Sequence, residues 1–193
     1  MTRDTSVADV TFVAFDFETT GLYPAQDKIV EFGAVKFKGG AVVDTFQQLA
    51  NPGIPITEDA ARISGIDSDM VVSAPPVAEV LPRFVEFLGE AVLVAHNAPF
   101  DLAFLRAALT SEGKGVGVGG GVANTIIDTQ ILAQKAFPRQ KSYSLQNLVG
   151  FLAIPPNQAH RALDDAVMCM KLFVACVEAL SFMGELTMGE VLT

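Results

Sequence analysis

An α/β domain built on a mixed β-sheet is the fold that the sequence predicts. Apolar runs with strand-like composition occur at residues 10–17, 29–37, 41–49, 91–95 and 125–128. The tight turn at Gly39-Gly40 indicates that the early strands form an antiparallel meander. The two short runs after residue 90 alternate with helical patterns, which is typical of parallel strands connected by helices. Antiparallel and parallel strands are therefore expected in one sheet.

Helical segments are predicted on both sides of the strands. Apolar residues recur at helical spacing from Val77 to Leu88, which predicts a helix over 76–88. Further helical segments are 58–63, 101–109, 129–136, 145–152 and about 160–182. We expect one domain at residues 10–182, with an N-terminal tail at 1–9 and a C-terminal tail at 183–193.

The glycine-rich run at 113–121 has six glycines in nine residues. It lacks the Lys-Ser/Thr ending of a phosphate-binding loop, and no convincing strand precedes it. We expect it to be a surface connection without a motif of its own.

The charge balance at first argues against a nucleic-acid binder. The 193 residues include 13 basic and 22 acidic side chains, a formal net charge of −9. Domains that coat nucleic acid are usually basic. Half of the residues are hydrophobic, which is enough for a sizeable core and argues against disorder.

Cysteine usage and the terminal segment favour a cytoplasmic protein. Cys169 and Cys176 lie seven residues apart in the last predicted helix, about 10 Å along its axis, which is too far for a disulfide between them. Residues 1–9 lack the apolar stretch of a signal peptide. The most apolar segment is interrupted by Lys171 and Glu178, so it reads as a buried helix rather than a membrane span.

Two acids end the first predicted strand. Asp16 and Glu18 are two residues apart, so both side chains leave the same face, and Phe17 points the other way. Two carboxylates on an apolar strand repel each other, and a hard divalent cation is a common remedy. The alternative is that the strand has ended and these are exposed loop acids.

A second cluster stands where a buried strand becomes a helix. Pro99 suits the first helical turn, with Asn97 or Ala98 before it as the cap. Asp101 then lies where the helix dipole favours a negative charge. The alternative interpretation of Asp101 is therefore an acid that stabilises the helix start and has no function. For His96 we favour a hydrogen-bonded structural role.

A third cluster opens the last long helix. His160 and Asp165 are about 140° apart on a helix, so His160 is expected on the preceding loop. Asp165 precedes the apolar series that begins at Ala166, near the buried face, whereas Asp164 is expected to face solvent. These acids also have the simpler reading of helix N-terminal charges.

Together, the three clusters resemble the motifs of the DnaQ-like DEDDh family of 3′→5′ exonucleases, which includes the epsilon-type proofreading subunits of DNA polymerase III. The first family motif, Asp-x-Glu-Thr-Thr-Gly, is matched at Asp16, Glu18, Thr19, Thr20 and Gly21. The second, His-Asn-x-x-Phe-Asp, is matched from His96 to Asp101, and the third, His-x-x-x-x-Asp, from His160 to Asp165. Order and spacing also match, and the resemblance covers residues 11–177.

The resemblance implies a ribonuclease H-like fold, with a five-stranded mixed sheet flanked by helices. It implies two divalent metal ions, Mg²⁺ or Mn²⁺, which clamp the attacking and leaving oxygens of a phosphoryl displacement. The four acids of that site would be Asp16, Glu18, Asp101 and Asp165, with Asp16 bridging the ions. His160 would be the general base that takes a proton from the attacking water. The product would be a nucleoside 5′-monophosphate from the 3′ end.

The same resemblance implies contacts to the terminal nucleotide. Thr19 and Leu22 match the residues that follow the first family motif, and Ser64 and Ile66 match a segment around a Gly-Ile pair. Ser64 stands where many relatives have histidine, which puts that one contact in doubt. Phe100 would pack beneath the terminal base or in the core.

Single-stranded or frayed 3′ ends of DNA are the substrate that the resemblance implies, with a DNA polymerase subunit as candidate partner in proofreading or repair. The alternative is a 3′→5′ exoribonuclease of the oligoribonuclease or RNase T kind, because the motifs bind metals and phosphates rather than the sugar. A non-catalytic interaction module would predict a broken motif, and every motif position is intact.

Overall fold

The computed structural model describes residues 2–111, 122–155 and 160–192, and the glycine-rich run lies outside them. Five strands form one sheet: β1 (Thr11–Thr19), β2 (Ile29–Lys38), β3 (Ala41–Leu49), β4 (Val92–Ala95) and β5 (Ile126–Asp128). Their order across the sheet is β3-β2-β1-β4-β5. The first three strands pair antiparallel, whereas β4 runs parallel to both β1 and β5. The predicted five-stranded mixed sheet is therefore confirmed.

Helices cover both faces of the sheet. They are α1 (Glu58–Ser64), α2 (Ser68–Val71), α3 (Val77–Leu88), α4 (Ala98–Ser111), α5 (Thr129–Ala136), α6 (Leu145–Phe151), α7 (Ala162–Leu180) and α8 (Met188–Val191). The one-turn helices α2 and α8 were not expected, because four residues are too few to show a helical period. Within the described ranges, no helix has both the length and the apolar character needed to cross a membrane.

The alternation of side chains along β1 divides the core into two layers. Phe12 and Ala14 pack with residues of α5, α6 and α7, whereas Val13, Phe15 and Phe17 pack with residues of α3 and α4. Because the side-chain period of a strand is two residues, positions 16 and 18 continue the row that faces α7. The strand thus delivers its acids to the space beside the α7 N-terminus.

The start of α4 differs from the prediction of a local cap at Asn97 or Ala98. Ala98 is the first residue of the helix, and the backbone N–H groups of Asn97 and Ala98 donate to the two carboxylate oxygens of Asp128, at 3.1 and 3.0 Å. The same carboxylate accepts from the N–H of Gln130 at 2.8 Å and so caps α5. A distant acid therefore performs the capping, which a search of neighbouring residues does not find.

The two terminal segments, expected as tails, pack against each other. Ser6 and Thr187 form an antiparallel bridge, and the N–H of Met188 donates to the carbonyl of Thr5 at 2.9 Å. The apolar side chains of Val7 and Leu186 are buried in the same core layer as residues of α7. The boundaries at residues 10 and 182 stay a prediction, but the described flanking segments belong to the packed structure.

Candidate active site

Carboxylates from three separate elements converge beside the end of β1. Asp16 and Glu18 come from β1, Asp101 from the first turn of α4 and Asp165 from the first turn of α7. One carboxylate oxygen from each of Asp16, Glu18 and Asp165 lies within 4.8 Å of the others. Asp101 adjoins this group, since its charge acts on Asp16. The three sequence clusters thus supply one acidic site.

Burial and mutual repulsion oppose full ionisation of this site. Burial raises the pKa of Asp16 well above its ordinary value, and the charges of Asp101 and Asp165 raise it further. Burial is also the largest cause at Glu18 and Asp101, and the pKa of each rises to about 8. The pKa of Asp165 is raised by burial as well. With pKa values of about 8, Glu18 and Asp101 hold protons near neutral pH unless a cation supplies positive charge.

Asp101 shows that a cation fits the site. Its side chain is buried, at 3% exposure. Among the residues that the structure describes, its Oδ1 is the one buried side-chain polar atom without a hydrogen-bond partner. A buried oxygen without a donor is costly, and carboxylate oxygens are the ligands that hard cations such as Mg²⁺ and Mn²⁺ prefer. The donor set therefore suits a divalent cation.

His160 lies just before α7 and contacts Asp165. Its side chain is exposed and its backbone adopts the left-handed conformation, with φ of 62°. Its backbone N–H donates to Oδ2 of Asp165 at 2.9 Å, while the Gln146 side-chain amide donates to Oδ1 at 3.2 Å. Each oxygen of Asp165 is thereby held by one hydrogen bond. Asp165 is buried and Asp164 half-buried, in the order expected from the apolar pattern of the helix.

The side chain of His96 is enclosed by structural partners. Its Nε2 lies 2.9 Å from the carbonyl oxygen of Tyr143, which can only accept, so Nε2–H donates. Its Nδ1 lies 2.9 Å from the hydroxyl of Thr129. Burial lowers the pKa of the ring, which favours the neutral form. These contacts tie the segment before α6 to the end of β4 and match the structural role expected for His96.

A groove of ≈ 510 Å³ opens directly beside the acids. Glu18 and Thr19 form one end of it, and Leu22, Ile63 and Phe100 line its sides. Leu22 is 71% exposed and Ile63 54% exposed, so large apolar surfaces face solvent here. Because Glu18 belongs both to the groove and to the acidic cluster, a molecule in the groove reaches the carboxylates.

Of the residues expected to contact a nucleotide, Ser64 and Ile66 lie outside this groove. The Ser64 hydroxyl donates to the carbonyl of Ala60 and accepts from the N–H of Ile66. Gly65 ends α1 in the left-handed conformation, with φ of 68°, and this turn sends Ile66 into the core, where its exposure is 0%. On this side the groove is formed by Ala60, Arg62 and Ile63 instead.

Two site residues were missed by the sequence analysis. Glu31 is fully buried on β2 directly beside Glu18 in the sheet register. The sequence did contain a signal for Glu31, because a single acid inside an apolar strand is buried only when a basic or hydrogen-bonding partner is present. Gln146, which orients Asp165, gives no comparable signal, since an exposed glutamine in a short helix is ordinary.

Comparison with known proteins identifies the family. A family model named RNase_T and described as an exonuclease matches residues 13–173. The chain belongs to this exonuclease family. The match contains all three acid-bearing segments of the site, so the family assignment and the geometry concern the same residues.

Relatives of this exonuclease domain are much longer proteins. The chain is 42% identical over 180 residues to a DNA polymerase III PolC-type protein of Caldanaerobacter subterraneus subsp. tengcongensis, covering 93% of this chain and 12% of that protein. It is 41% identical to a DNA polymerase III subunit epsilon-like protein of Rhodobacter capsulatus, covering 98% of this chain and 27% of the relative. The chain therefore spans only a small part of these relatives.

Solved structures share the fold of the exonuclease domain. Exonuclease X in complex with 5′ overhanging duplex DNA superposes with a TM-score of 0.72 at 26% identity, covering 95% of this chain and 99% of that chain. Escherichia coli exonuclease I in complex with a dT13 oligonucleotide gives a TM-score of 0.74 at 18% identity, covering 90% of this chain and 42% of that chain. The second likeness shows the fold alone.

Proposed function

We propose that this chain is a metal-dependent 3′→5′ exonuclease that removes nucleoside 5′-monophosphates from the 3′ ends of DNA, in proofreading or repair. The observation that carries the proposal is the acidic cluster opening through Glu18 into a groove with apolar walls. Support comes from relatives named as DNA polymerase III proteins and from a structural neighbour bound to duplex DNA.

The residues that would hold two divalent ions are Asp16, Glu18, Asp101 and Asp165. Bound there, Mg²⁺ or Mn²⁺ would neutralise charge on the reacting phosphate and make the attacking water more acidic. The protein contributes fixed donors, because Asp101 is buried and Asp165 is held at both oxygens. The chain itself therefore sets where the phosphate is placed.

His160 would act as the general base. Its imidazole is exposed, and its backbone N–H donates to the Asp165 carboxylate. A ring nitrogen takes a proton from the attacking water as the new O–P bond forms. The P–O3′ bond to the shortened strand breaks, and the leaving 3′ oxygen ends as a hydroxyl.

The groove would hold the terminal nucleotide. Leu22, Ile63 and Phe100 offer apolar surface to a base, and the Phe100 ring packs on Phe104 with centroids 5.0 Å apart. Base stacking on such surfaces tolerates any sequence. Phe100 lines the groove and also packs against the core, which supports a contact with the terminal base without excluding a purely structural role. The Thr19 hydroxyl donates to the carbonyl of Gly21 at 2.6 Å, so Thr19 would act by shaping the groove.

The net charge of −9 limits how the enzyme would hold DNA. Two divalent ions would offset four of these charges, and the remaining acidity does not suit contacts along an extended backbone. A short grip on terminal nucleotides, with a DNA polymerase subunit holding the rest of the strand, fits this balance. The same proposal places the enzyme in the cytoplasm, as the sequence led us to expect.

Degradation of matched substrates tests the proposal. 3′-labelled single-stranded DNA, mispaired duplex DNA and short RNA are incubated with Mg²⁺, and with EDTA as control. We expect DNA to be shortened from the 3′ end with Mg²⁺ alone. Preferential loss of RNA would favour the exoribonuclease reading, and no degradation of any substrate would favour a non-catalytic module.

A further inference from the structure

An ion pair buried beside the acidic cluster takes no part in the proposed chemistry. Arg161 immediately precedes α7, and its Nη2 lies 2.7 Å from Oε1 of Glu31 on β2. The Glu31 side chain has 0% exposure, and that of Arg161 has 24%. Burying a charge costs desolvation free energy, which only well-placed ionic and hydrogen-bond partners offset. A buried pair at this position therefore suggests a specific role.

The Glu31 carboxylate is fully engaged. Besides the Nη2 contact, it accepts from Arg161 Nε at 3.1 Å, from the backbone N–H of Ala162 at 3.0 Å and from the Gln47 side chain at 2.9 Å. Burial by itself would raise the pKa of Glu31, but these hydrogen bonds and the Arg161 charge hold the pKa below its ordinary value. Glu31 is therefore a charged cap on the first residue of α7.

Gly33 brings the same two elements into backbone contact. A Cβ atom at this position would overlap the backbone of Ala162 and Leu163, which cannot move aside as a side chain would. Gly33 lies opposite Asp16 in the sheet register, and Glu31 lies opposite Glu18. The contact between β2 and α7 therefore sits directly beside the two acids of β1.

This contact, the α7 anchor formed by Glu31, Gly33 and Arg161, determines where the last acid stands. His160 precedes Arg161 by one residue, and Asp165 lies in the first turn that Glu31 caps. Asp16, Glu18 and Asp165 repel one another when ionised. Without a second attachment, that repulsion would push the start of α7 away from β1.

We infer that Glu31 and Arg161 are positioning residues of the nuclease site, which hold His160 and Asp165 at working distance from Asp16 and Glu18. The inference rests on the proposed function. It adds that the ion pair sets metal affinity and turnover without touching the substrate. Neither residue lines the groove, so nucleotide binding is expected to be independent of the pair.

Arg161→Lys is the first test, because lysine keeps the charge but loses the two-point contact of the guanidinium. Mn²⁺ binding is measured by calorimetry without nucleic acid, and kcat and KM are measured on a short DNA oligonucleotide. We expect Mn²⁺ affinity and kcat to fall about 10- to 100-fold, as for other residues that orient metal ligands. KM should stay within about threefold of the wild-type value. KM rises when a contact with the bound substrate is lost, and the Arg161 side chain is expected to make none.

Two further variants keep the test decisive if a stronger change impairs folding. Glu31→Gln removes the buried charge and should reproduce the Arg161→Lys losses. Gln47→Ala removes one hydrogen bond of the four and should give a smaller loss of Mn²⁺ affinity in the same direction. A folded Arg161→Lys protein whose Mn²⁺ affinity and kcat stay within twofold of wild type overturns the inference.

Asn124→Ala is the matched control. Asn124 donates to the carbonyls of Gly89 and Ala91 at 2.9 and 2.7 Å, near the opposite end of β4. Its loss should lower the melting temperature and leave Mn²⁺ affinity unchanged, and an equal loss of affinity would overturn the inference by showing that stability alone controls it. Wild-type protein that degrades no nucleic acid would refute the proposed function, while the Mn²⁺ titrations would still test the anchor.

Discussion

Two acids that face each other across β1 and β2, the buried Glu31 and the half-buried Glu18, behave in opposite ways. Glu31 has a hydrogen-bond donor at every side of its carboxylate, and its pKa is lowered. No residue that the structure describes donates a hydrogen bond to the side chain of Glu18, its partner in the sheet register, and burial raises the pKa of Glu18 to about 8. The difference shows that a buried carboxylate satisfied by the protein is part of the scaffold, whereas an unsatisfied one is available to a cation.

Asp16→Ala gives the largest expected effect. We expect Mg²⁺-dependent degradation of DNA to disappear, because Asp16 is one of the three acids whose carboxylate oxygens lie within 4.8 Å of one another. Metal-free protein should melt at a higher temperature than wild type at pH 8, since one repelling carboxylate is gone. Calorimetric melting and gel assays of labelled DNA measure the two effects. An active Asp16→Ala protein would contradict the metal assignment.

His160→Ala separates proton transfer from metal binding. We expect kcat to fall about 10²- to 10⁴-fold, the usual range for a lost general base. Mn²⁺ affinity should change little, because Asp165 is oriented by the backbone N–H of residue 160, which alanine retains. Activity within a few-fold of wild type would exclude His160 as the base.

The pH dependence of stability tests the raised pKa values of the acids in the cluster. Glu18 and Asp101 have folded-state pKa values of about 8, above their unfolded values, so the folded state binds more protons between these limits. Metal-free protein should therefore lose stability as the pH rises from about 5 to 8. Saturating Mg²⁺ should raise the melting temperature more at pH 8 than at pH 5.5. A metal-free melting temperature that increases across this window would contradict the pKa shifts.

The smallest expected effect extends the contrast to the groove. The Leu22 side chain is exposed to solvent. The Ser64 hydroxyl, in contrast, already donates to the carbonyl of Ala60 and accepts from the N–H of Ile66. Leu22→Ala should raise KM about three- to tenfold with kcat unchanged, which is the signature of a lost binding contact. Ser64→Ala should leave KM unchanged. Steady-state kinetics on a single-stranded oligonucleotide measure both, and a larger KM change at Ser64 would restore its expected nucleotide contact.

Much of the fold was predictable because its strands carry continuous apolar runs. The strand predicted at 41–49 has the same ends as β3. The antiparallel pairing of the first three strands and the parallel pairing of the last two were predicted from the connections between them, which are a tight turn early in the chain and helices later. The four acids and His160 were predicted because their spacing recurs in a known family. The structure brings the acids together, and their catalytic roles stay a prediction. The anticipated loop position of His160 agrees with a helix that begins at Ala162.

What sequence reasoning missed depends on contacts between distant residues. Asp128 caps a helix that starts 30 residues earlier in the chain. Glu31 meets Arg161 across 130 residues, and no local pattern pairs them. Ser64 and Ile66 lie outside the groove because Gly65 adopts a left-handed turn, which redirects the chain after α1, and their contact with a nucleotide stays a prediction.

The pairing of the two terminal segments has a consequence for how such a domain can be built into larger proteins. The helix α7 runs 19 residues, about 28 Å, from the acidic site to the far end of the molecule, and the bridge between Ser6 and Thr187 follows beyond it. The two segments that flank the domain therefore lie side by side. A host polypeptide interrupted at one surface position could accept this module, because both connections would leave the domain at the same place.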